Sequence, residues 1–393
     1  MSPEMNLEKQ IKRHVIAQNH DFFALTHPGF ESVCENEICR LGEGPAVQER
    51  VKGGVAFRGR ITDLYAANLH VRTAGRLLMR IARFKTTNFH HLVRRTAAIA
   101  WARYLPWGAI PEFRVTARHS RLFHSQAVAA HMGGAIESYW QQMGTVAAHT
   151  PDQSLWVRIE DDYLTLSMDS SGHFLYRRGL KTHPGRAPIR ETLAAAILMA
   201  AGFRGDRSLI DPMCGSGTFA LEAALLAKQV PPGLSREFAF MRWPSFRPRQ
   251  WQYLKSQAVD AVKICPQPMI WASDIDAAAC QALSRCIAVN GLQDAVHVRR
   301  GDFFQLEPDQ IVGKSGPGLV VLNPPYGRRL RPPEGLDRFY AAIGNKLSTS
   351  FKGWRTAVLV PGAELIANLP AGLSFRHLTH GGQTLTLATG TIG

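Results

Sequence analysis

From residue 191 onward, apolar stretches of helical period alternate with short, continuously apolar ones. In order they are ETLAAAILMA, SLIDPMCG, TFALEAALLAK, PMIWASDID, AACQALSRCIAVNG, VHVRRGD, LVVLNPP, LDRFYAAIGNKLSTSF and RTAVLVPG. Short runs of four to eight apolar residues between helices read as strands buried on both faces. Strict alternation of helix and strand then predicts an α/β domain over 191–393: a doubly wound, mostly parallel sheet with helices on both sides. Ligands in such sheets bind beyond the carboxyl ends of the strands. Residues 229–268 interrupt the alternation and predict an insertion between the first glycine-led helix and the next strand.

Upstream the pattern is different. Over 1–60 it predicts a small α+β segment, with a strand at FFALT, a helix around GFESVCENEICRL and strands ending near GGVAFRG. Residues 61–84 carry apolar positions at helical spacing with arginines between them, which predicts helix. EFRVTARHS (112–120), LWVRIEDD and YLTLSMD read as strands and SQAVAAHMGGAIESYW (125–140) as a helix, so that 61–169 forms a second α+β unit. Residues 170–190, rich in Gly, Pro and Arg, read as a linker.

Charge changes this picture more than composition does. Of the net +15, residues 51–130 contribute +12, from fourteen Lys and Arg against Asp63 and Glu112, and the other 313 residues only +3. A one-signed block of this kind predicts a polyanionic partner, held by counterion release. Arg72, Arg76, Arg80, Arg83, Arg118 and Arg121 within it, with Arg177 and Arg178 of the linker, are the expected contacts to that polyanion. Tyr176 and the arginines and tryptophans of 236–251 are second candidates. The apolar run LAAAILMAAGF (193–203) is shorter than the ~20 residues of a membrane span, and MSPEMNLEKQIKRHVIAQNH lacks the apolar core of a signal peptide, which predicts a cytoplasmic location. Six cysteines without a C-x-x-C pair and scattered histidines predict no metal site.

The candidate chemistry lies at the predicted strand ends. Asp211-Pro212-Met213-Cys214-Gly215-Ser216-Gly217-Thr218 joins a strand to a helix, and its glycines allow a tight turn and close approach of a ligand. The loop lacks Gly-Lys-Ser/Thr, so it is no triphosphate loop. A carboxylate at its start suits a cationic amino group better than a pyrophosphate. Asp274, ending the next strand, is placed to accept ribose hydroxyls, with Asp276 as the alternative. Asp302 is placed to accept from an adenine amine, with Phe303 against the ring. Each of these acids, taken singly, reads equally as a helix N-cap. Finally, Asn323-Pro324-Pro325-Tyr326-Gly327 ends a buried strand with an amide, two prolines and an aromatic ring.

DPMCGSGT, SDID, GDFF and NPPYG in this order resemble the motif set of class I S-adenosylmethionine (SAM)-dependent methyltransferases that modify exocyclic or amide nitrogens. With RAPIRETLAAAILMAAGF and the PPGL…W insertion, nearly the whole chain resembles the bacterial THUMP-containing 23S rRNA guanine-N2 methyltransferases, in particular the N-terminal half of the fused bifunctional enzyme. The resemblance implies a Rossmann-like catalytic domain behind a THUMP-type RNA-binding region. It implies SAM as cofactor, held by Asp211, Cys214, Gly215, Gly217, Thr218, Asp274, Ile275, Asp302 and Phe303. It implies Asn323, Pro324 and Tyr326 as the catalytic residues, and RNA, either 23S rRNA or a large-subunit precursor, as partner. Arg328-Arg329-Leu330-Arg331 departs from the family, which often has an acidic residue there. Two other readings compete: an adenine-N6 DNA methyltransferase, which N-P-P-Y would serve by the same geometry, and a non-catalytic RNA-binding or assembly factor. A nicotinamide-dependent enzyme is disfavoured by the N-P-P-Y turn.

Overall fold

A computed structural model describes residues 3–181, 189–313, 316–325 and 335–393. The chain forms two compact units. One contains the chain up to Thr26, Cys34–Leu175 and Arg236–Ser256; the other contains His27–Val33, Tyr176–Ser235 and Gln257–Gly393.

The first unit is built on one seven-stranded sheet. Its strands are β1 (His20–Thr26), β2 (Ala46–Val51), β3 (Gly54–Gly59), β4 (Ala74–Lys85), β5 (Ala109–Arg118), β6 (Ala148–Glu160) and β7 (Tyr163–Asp169). They lie in the order β2-β3-β1-β4-β7-β6-β5, antiparallel except for the parallel pair β5 and β6. Two expectations need correction here. Residues 74–85 are a strand, and only Ile61–His70 are helical. In that strand Leu77 and Met79 are buried on one face and Leu78 on the other, so the apolar residues cluster as they would on a helix. Secondly, residue 60 does not separate two sheets, because β4 pairs with β1 on one side and with β7 on the other.

Leu155, Val157 and Ile159 of β6 and Leu164, Leu166 and Met168 of β7 are at most 1% exposed on the inner face. The helix Ser125–Gln142 buries Val128, Met132, Ile136 and Trp140 on that side, and the Trp140 Nε1 donates to the Ala109 carbonyl at 2.9 Å. The insertion completes this unit. Tyr65 stacks on Phe240 at 4.5 Å and meets Trp251 edge-on, while Trp243 and Trp251 are 3% and 4% exposed. These tryptophans are core residues and not RNA contacts.

The second unit has the expected α/β grammar. β8 (Leu209–Asp211), β9 (Ile270–Asp274), β10 (Val296–Arg300), β11 (Leu319–Leu322) and β12 (Arg355–Val360) are mutually parallel. A hairpin absent from the sequence expectations, β13 (Ser374–His380) and β14 (Gln383–Thr391), adds an antiparallel edge, giving the order β10-β9-β8-β11-β12-β14-β13. Alternate strand residues feed two cores. Leu209, Val321, Ala357 and Leu359 pack with the helices Glu191–Ala200, Thr218–Ala227 and Ala277–Val289. Ile210, Val320, Leu322 and Val358 pack on the other face with the helix Leu336–Ser350. This two-sided burial explains why the strands read as unbroken apolar runs. Among the described residues no helix is long and apolar enough to cross a membrane.

Candidate cofactor and acceptor site

The parallel register brings the sequence-predicted acids to one rim. Asp211 ends β8, paired with Ala272 of β9, and Asp274 ends β9, paired with Arg300 of β10. The loop after Asp211 returns to the sheet. Cys214 N–H donates to the Ser273 carbonyl at 3.0 Å, and Gly215 N–H to Asp274 Oδ2 at 2.8 Å. Gly217 caps the helix Thr218–Ala227 at φ +73°, where a Cβ would overlap the Leu283 side chain. Both reasons make the position glycine-only. Nothing lies within 4 Å of where a Cβ on Gly215 would sit, so the loop crest is open.

Asp211 is 1% exposed, and neither carboxylate oxygen makes a hydrogen bond of good geometry among the described residues. Burial pushes its carboxyl up to about 8; the nearby Ala220 amide pulls it down, Asp274 pushes it up and Lys181 pulls it down. A buried acid lacking a full partner set is poised for a donor from a ligand. Asp274 receives the Gly215 amide on one oxygen and the Asp276 amide, at 2.9 Å, on the other, and each oxygen keeps further acceptor capacity. Ile275, next to it, is 67% exposed.

The N-cap reading holds for two of the acids. Asp276 accepts from Ala278 N–H at 2.8 Å, and Asp302 from Phe304 N–H at 3.0 Å. Phe303 is corrected. Its ring is 2% exposed in the core and stacks with Phe351, so it has no free face for a base, whereas the adjacent Phe304 is 36% exposed. Thr218 and Cys214 are buried at the loop, and burial pushes the Cys214 thiol up, away from the thiolate form.

Sequence reasoning missed Lys181. Its ammonium donates to Thr218 Oγ1 at 2.5 Å and Ser216 Oγ at 3.3 Å, and lies 3.9 Å from Glu191. The side chain is 11% exposed, and burial pulls the ammonium down, opposed by Glu191. A cation at this helix N-terminus runs against the helix dipole; the hydroxyls and the carboxylates of Glu191, Glu222 and Asp211 favour it there. Its place in a Gly/Pro/Arg segment gave no signal in the sequence.

On β11, beside β8, the strand ends at Leu322 and Asn323 follows. Asn323 Oδ1 is buried and accepts no hydrogen bond among the described residues, and Pro324 is buried. Tyr326 and the arginines at 328, 329 and 331 lie outside the described residues.

Of the expected RNA contacts, Arg83, Arg118, Arg121 and Arg177 are exposed and Arg80 is half-buried. Arg72, Arg76 and Arg178 are corrected, being 7%, 7% and 4% exposed. Arg76 is ion-paired with Asp169 and donates to the Gly172 carbonyl at 2.6 Å; Arg178 is paired with Glu222 at 3.1 Å. Such buried pairs hold the fold and leave no charge for phosphate.

Comparison with known proteins agrees with this geometry. Residues 178–376 match the family model described as the RMKL-like methyltransferase domain. The chain belongs to the RMKL-like methyltransferases. Residues 21–78 of this RMKL-like methyltransferase match the RlmL ferredoxin-like domain. It is 33% identical over 380 residues, 94% of the chain and 96% of its relative, to slr0064 of Synechocystis sp. (strain ATCC 27184 / PCC 6803 / Kazusa), provisionally named an RNA methyltransferase. It is 35% identical over 357 residues to the ribosomal RNA large subunit methyltransferase K/L of Methylococcus capsulatus, covering 88% of the chain and 47% of that protein. The RMKL-like chain thus spans about half the length of the K/L relatives. Among solved structures, SMU.472, complexed with SAH, superposes with a TM-score of 0.85 at 25% identity, over 96% of the chain and 99% of SMU.472. A protein of Listeria monocytogenes, described as a predicted N6-adenine-specific DNA methylase, gives 0.85 at 28% identity, over 96% and 97%.

This RMKL-like methyltransferase has the Rossmann-like class I domain and the ferredoxin-like, THUMP-type N-terminal region expected of it, and its cofactor is SAM. The residues fit that cofactor. The incompletely satisfied Asp211 suits its ammonium, the open crest at Gly215 leaves room beside the loop, and Asp274 retains lone pairs for ribose hydroxyls. A bound SAM supplies a methyl group already activated on a sulfonium.

Proposed function

We propose that this chain transfers the methyl group of SAM to the exocyclic N2 amine of a guanine in 23S rRNA. The observation that carries the reading is Asn323 Oδ1, a buried acceptor without a described partner at the strand end beside Asp211. An exocyclic amine brings two N–H donors. Asn323 Oδ1 and the Pro324 carbonyl accept them, which draws the nitrogen lone pair out of the ring and aims it at the methyl. Two consecutive prolines fix φ and make those acceptors rigid. Tyr326 stacks on the base, which is first extruded if it lies in a stem. Asp211 holds the cofactor's ammonium and Asp274 its ribose. RNA is supported by the +12 block over 51–130 and by the names of the K/L and Synechocystis relatives.

The description of the Listeria structure favours a second reading, adenine-N6 methylation of DNA. The test is to incubate the protein with isotopically labelled SAM, offering unmodified 23S rRNA and duplex DNA in parallel, and to identify the product by nucleoside mass spectrometry. Label in N2-methylguanosine supports the proposal. Label in N6-methyladenine from DNA replaces it with the second reading. Label in neither, with a precursor particle also inert, leaves a binding protein.

A further inference from the structure

On the outer face of the first unit's sheet, Arg83, Lys85, Tyr163, Arg158 and Arg118 are exposed towards the β6–β7 turn, while Leu78, Ser167 and Asp169 further along the same side are buried. The register places three rows of side chains across β4, β7, β6 and β5 on that outer face. They are Lys85, Tyr163, Glu160 and Arg118; Arg83, Thr165, Arg158 and Thr116; and Arg80, Ser167, Trp156 and Arg114. A register shift between Arg80 and Ala82 keeps Arg80 and Arg83 on the same side although they are three residues apart. Arg83, Lys85, Arg114, Arg118 and Arg158 are all exposed. These rows hold six cations against one carboxylate, Glu160, which pairs with Arg158 at 2.6 Å; on the same side Glu112 pairs with Arg114 at 2.8 Å and the buried Asp169 pairs with Arg76. At its rim the β6–β7 turn brings Asp161 and Asp162 beside His119 and Arg121.

One ring lies among these charges. Tyr163 is 46% exposed, with the Arg83 guanidinium 5.5 Å and the Lys85 ammonium 5.8 Å from its centroid. An exposed ring on this part of the sheet, flanked by cations, provides a surface for a stacked base and for the phosphates either side of it. At the other end of the sheet Asp21 and Glu49 act on Arg80 and Arg58 faces Asp21, so the positive field belongs to the β4–β5 side.

We propose that the exposed part of this face of β4, β7, β6 and β5 docks a single-stranded RNA segment, its phosphates on Arg83, Arg114, Arg118 and Arg158 and one base on Tyr163. The proposal rests on the RNA reading above and gives it a surface. Arg114, Arg158, Lys85 and Tyr163 are added to the contacts expected from sequence, and the buried Arg72, Arg76 and Arg178 are removed.

The experiment is fluorescence anisotropy on the full chain with a labelled mixed-sequence RNA 20-mer and the corresponding RNA duplex, over a salt series. Four proteins are compared: wild type, the pair Arg114→Gln with Arg158→Gln, Tyr163→Ser, and a control pair, Arg50→Gln with Arg58→Gln, on β2 and β3. Unchanged melting temperature and SAH affinity establish that each is folded. The first pair is expected to bind the single strand about tenfold more weakly at 0.1 M salt, with a log–log salt slope shallower by roughly 0.7 for each phosphate that is no longer neutralised. Tyr163→Ser is expected to lose about fivefold on the single strand at constant slope and little on the duplex. Equal losses in the control pair, or no loss in either test variant, overturn the proposal. A loss of the same size on duplex and single strand with Tyr163→Ser overturns the stacking role. So does binding of an acidic polypeptide, but not RNA, by this face. Methyl transfer to 23S rRNA separates the two levels. If wild type methylates rRNA and the first pair does so with unchanged KM, the face fails and the reading stands. If wild type binds the 20-mer through these residues and methylates no RNA, the reading fails and the face stands.

Discussion

Asp274 holds the glycine loop in place: its Oδ2 accepts the Gly215 amide at 2.8 Å while its Oδ1 accepts the Asp276 amide at 2.9 Å. The carboxylate that is proposed to bind ribose therefore also positions the loop that faces the cofactor. Asp274→Ala should lower SAH affinity by 10- to 100-fold, the ~1.5–3 kcal/mol of charge-assisted hydrogen bonds. Asp276→Ala should instead cost about 1 kcal/mol of stability as a lost N-cap, with little change in affinity. Calorimetric titration and melting of both variants check the assignment, and an affinity loss confined to Asp276→Ala would reverse it.

Asp211, proposed to hold the cofactor's ammonium, should make cofactor binding depend on pH. Its folded-state value near 8 lies above the ordinary aspartate range, so the folded protein keeps a proton that the unfolded chain releases. The stabilisation is complete at acid pH, below the unfolded value, and is lost as pH rises towards 8. Pairing with a ligand's ammonium requires the ionised form. SAH binding at pH 7 should therefore release close to one proton, seen as a binding enthalpy that varies with the buffer's ionisation enthalpy. Asp211→Asn should abolish that release and lessen the loss of stability between pH 4 and 8.

Lys181 should read the carboxylate end of the cofactor, since it reaches the loop's Ser216 and Thr218 hydroxyls. Lys181→Met is expected to weaken SAH binding about tenfold while leaving methylthioadenosine, which lacks the amino-acid end, unchanged. Equal weakening of both ligands would show that the lysine only shapes the loop.

Asn323→Ala should lower turnover by about 10²–10³-fold, the effect of removing one preorganised partner from a reacting centre. SAH affinity should stay within twofold, and single-turnover methyl transfer checks both. Normal turnover would remove Asn323 from the amine.

The second unit was legible because its chemistry is local. Gly-rich loop, strand-end acids and Asn323 each follow a short apolar run, so one-dimensional spacing carries them to the same rim. The first unit was less so. In β4 a strand buried on both faces, with arginines at 76, 80 and 83, imitates a helical stripe. The sequence counts charge without revealing partners: Arg76 pairs with Asp169, 93 residues away, and Arg178 with Glu222, 44 away. Phe303 and Phe304 are adjacent and chemically alike, and only the fold decides which of them is buried.

The insertion that supplies Phe240 and Trp251 to Tyr65 also sets an order of events during synthesis. A ribosome must pass Trp251 before the first unit possesses its whole aromatic core, and by then β8 and the glycine loop have already been made. A gene fragment cut within 170–190 encodes every strand of the seven-stranded sheet but none of these rings, and the chain it yields keeps the apolar wall around Tyr65 wet.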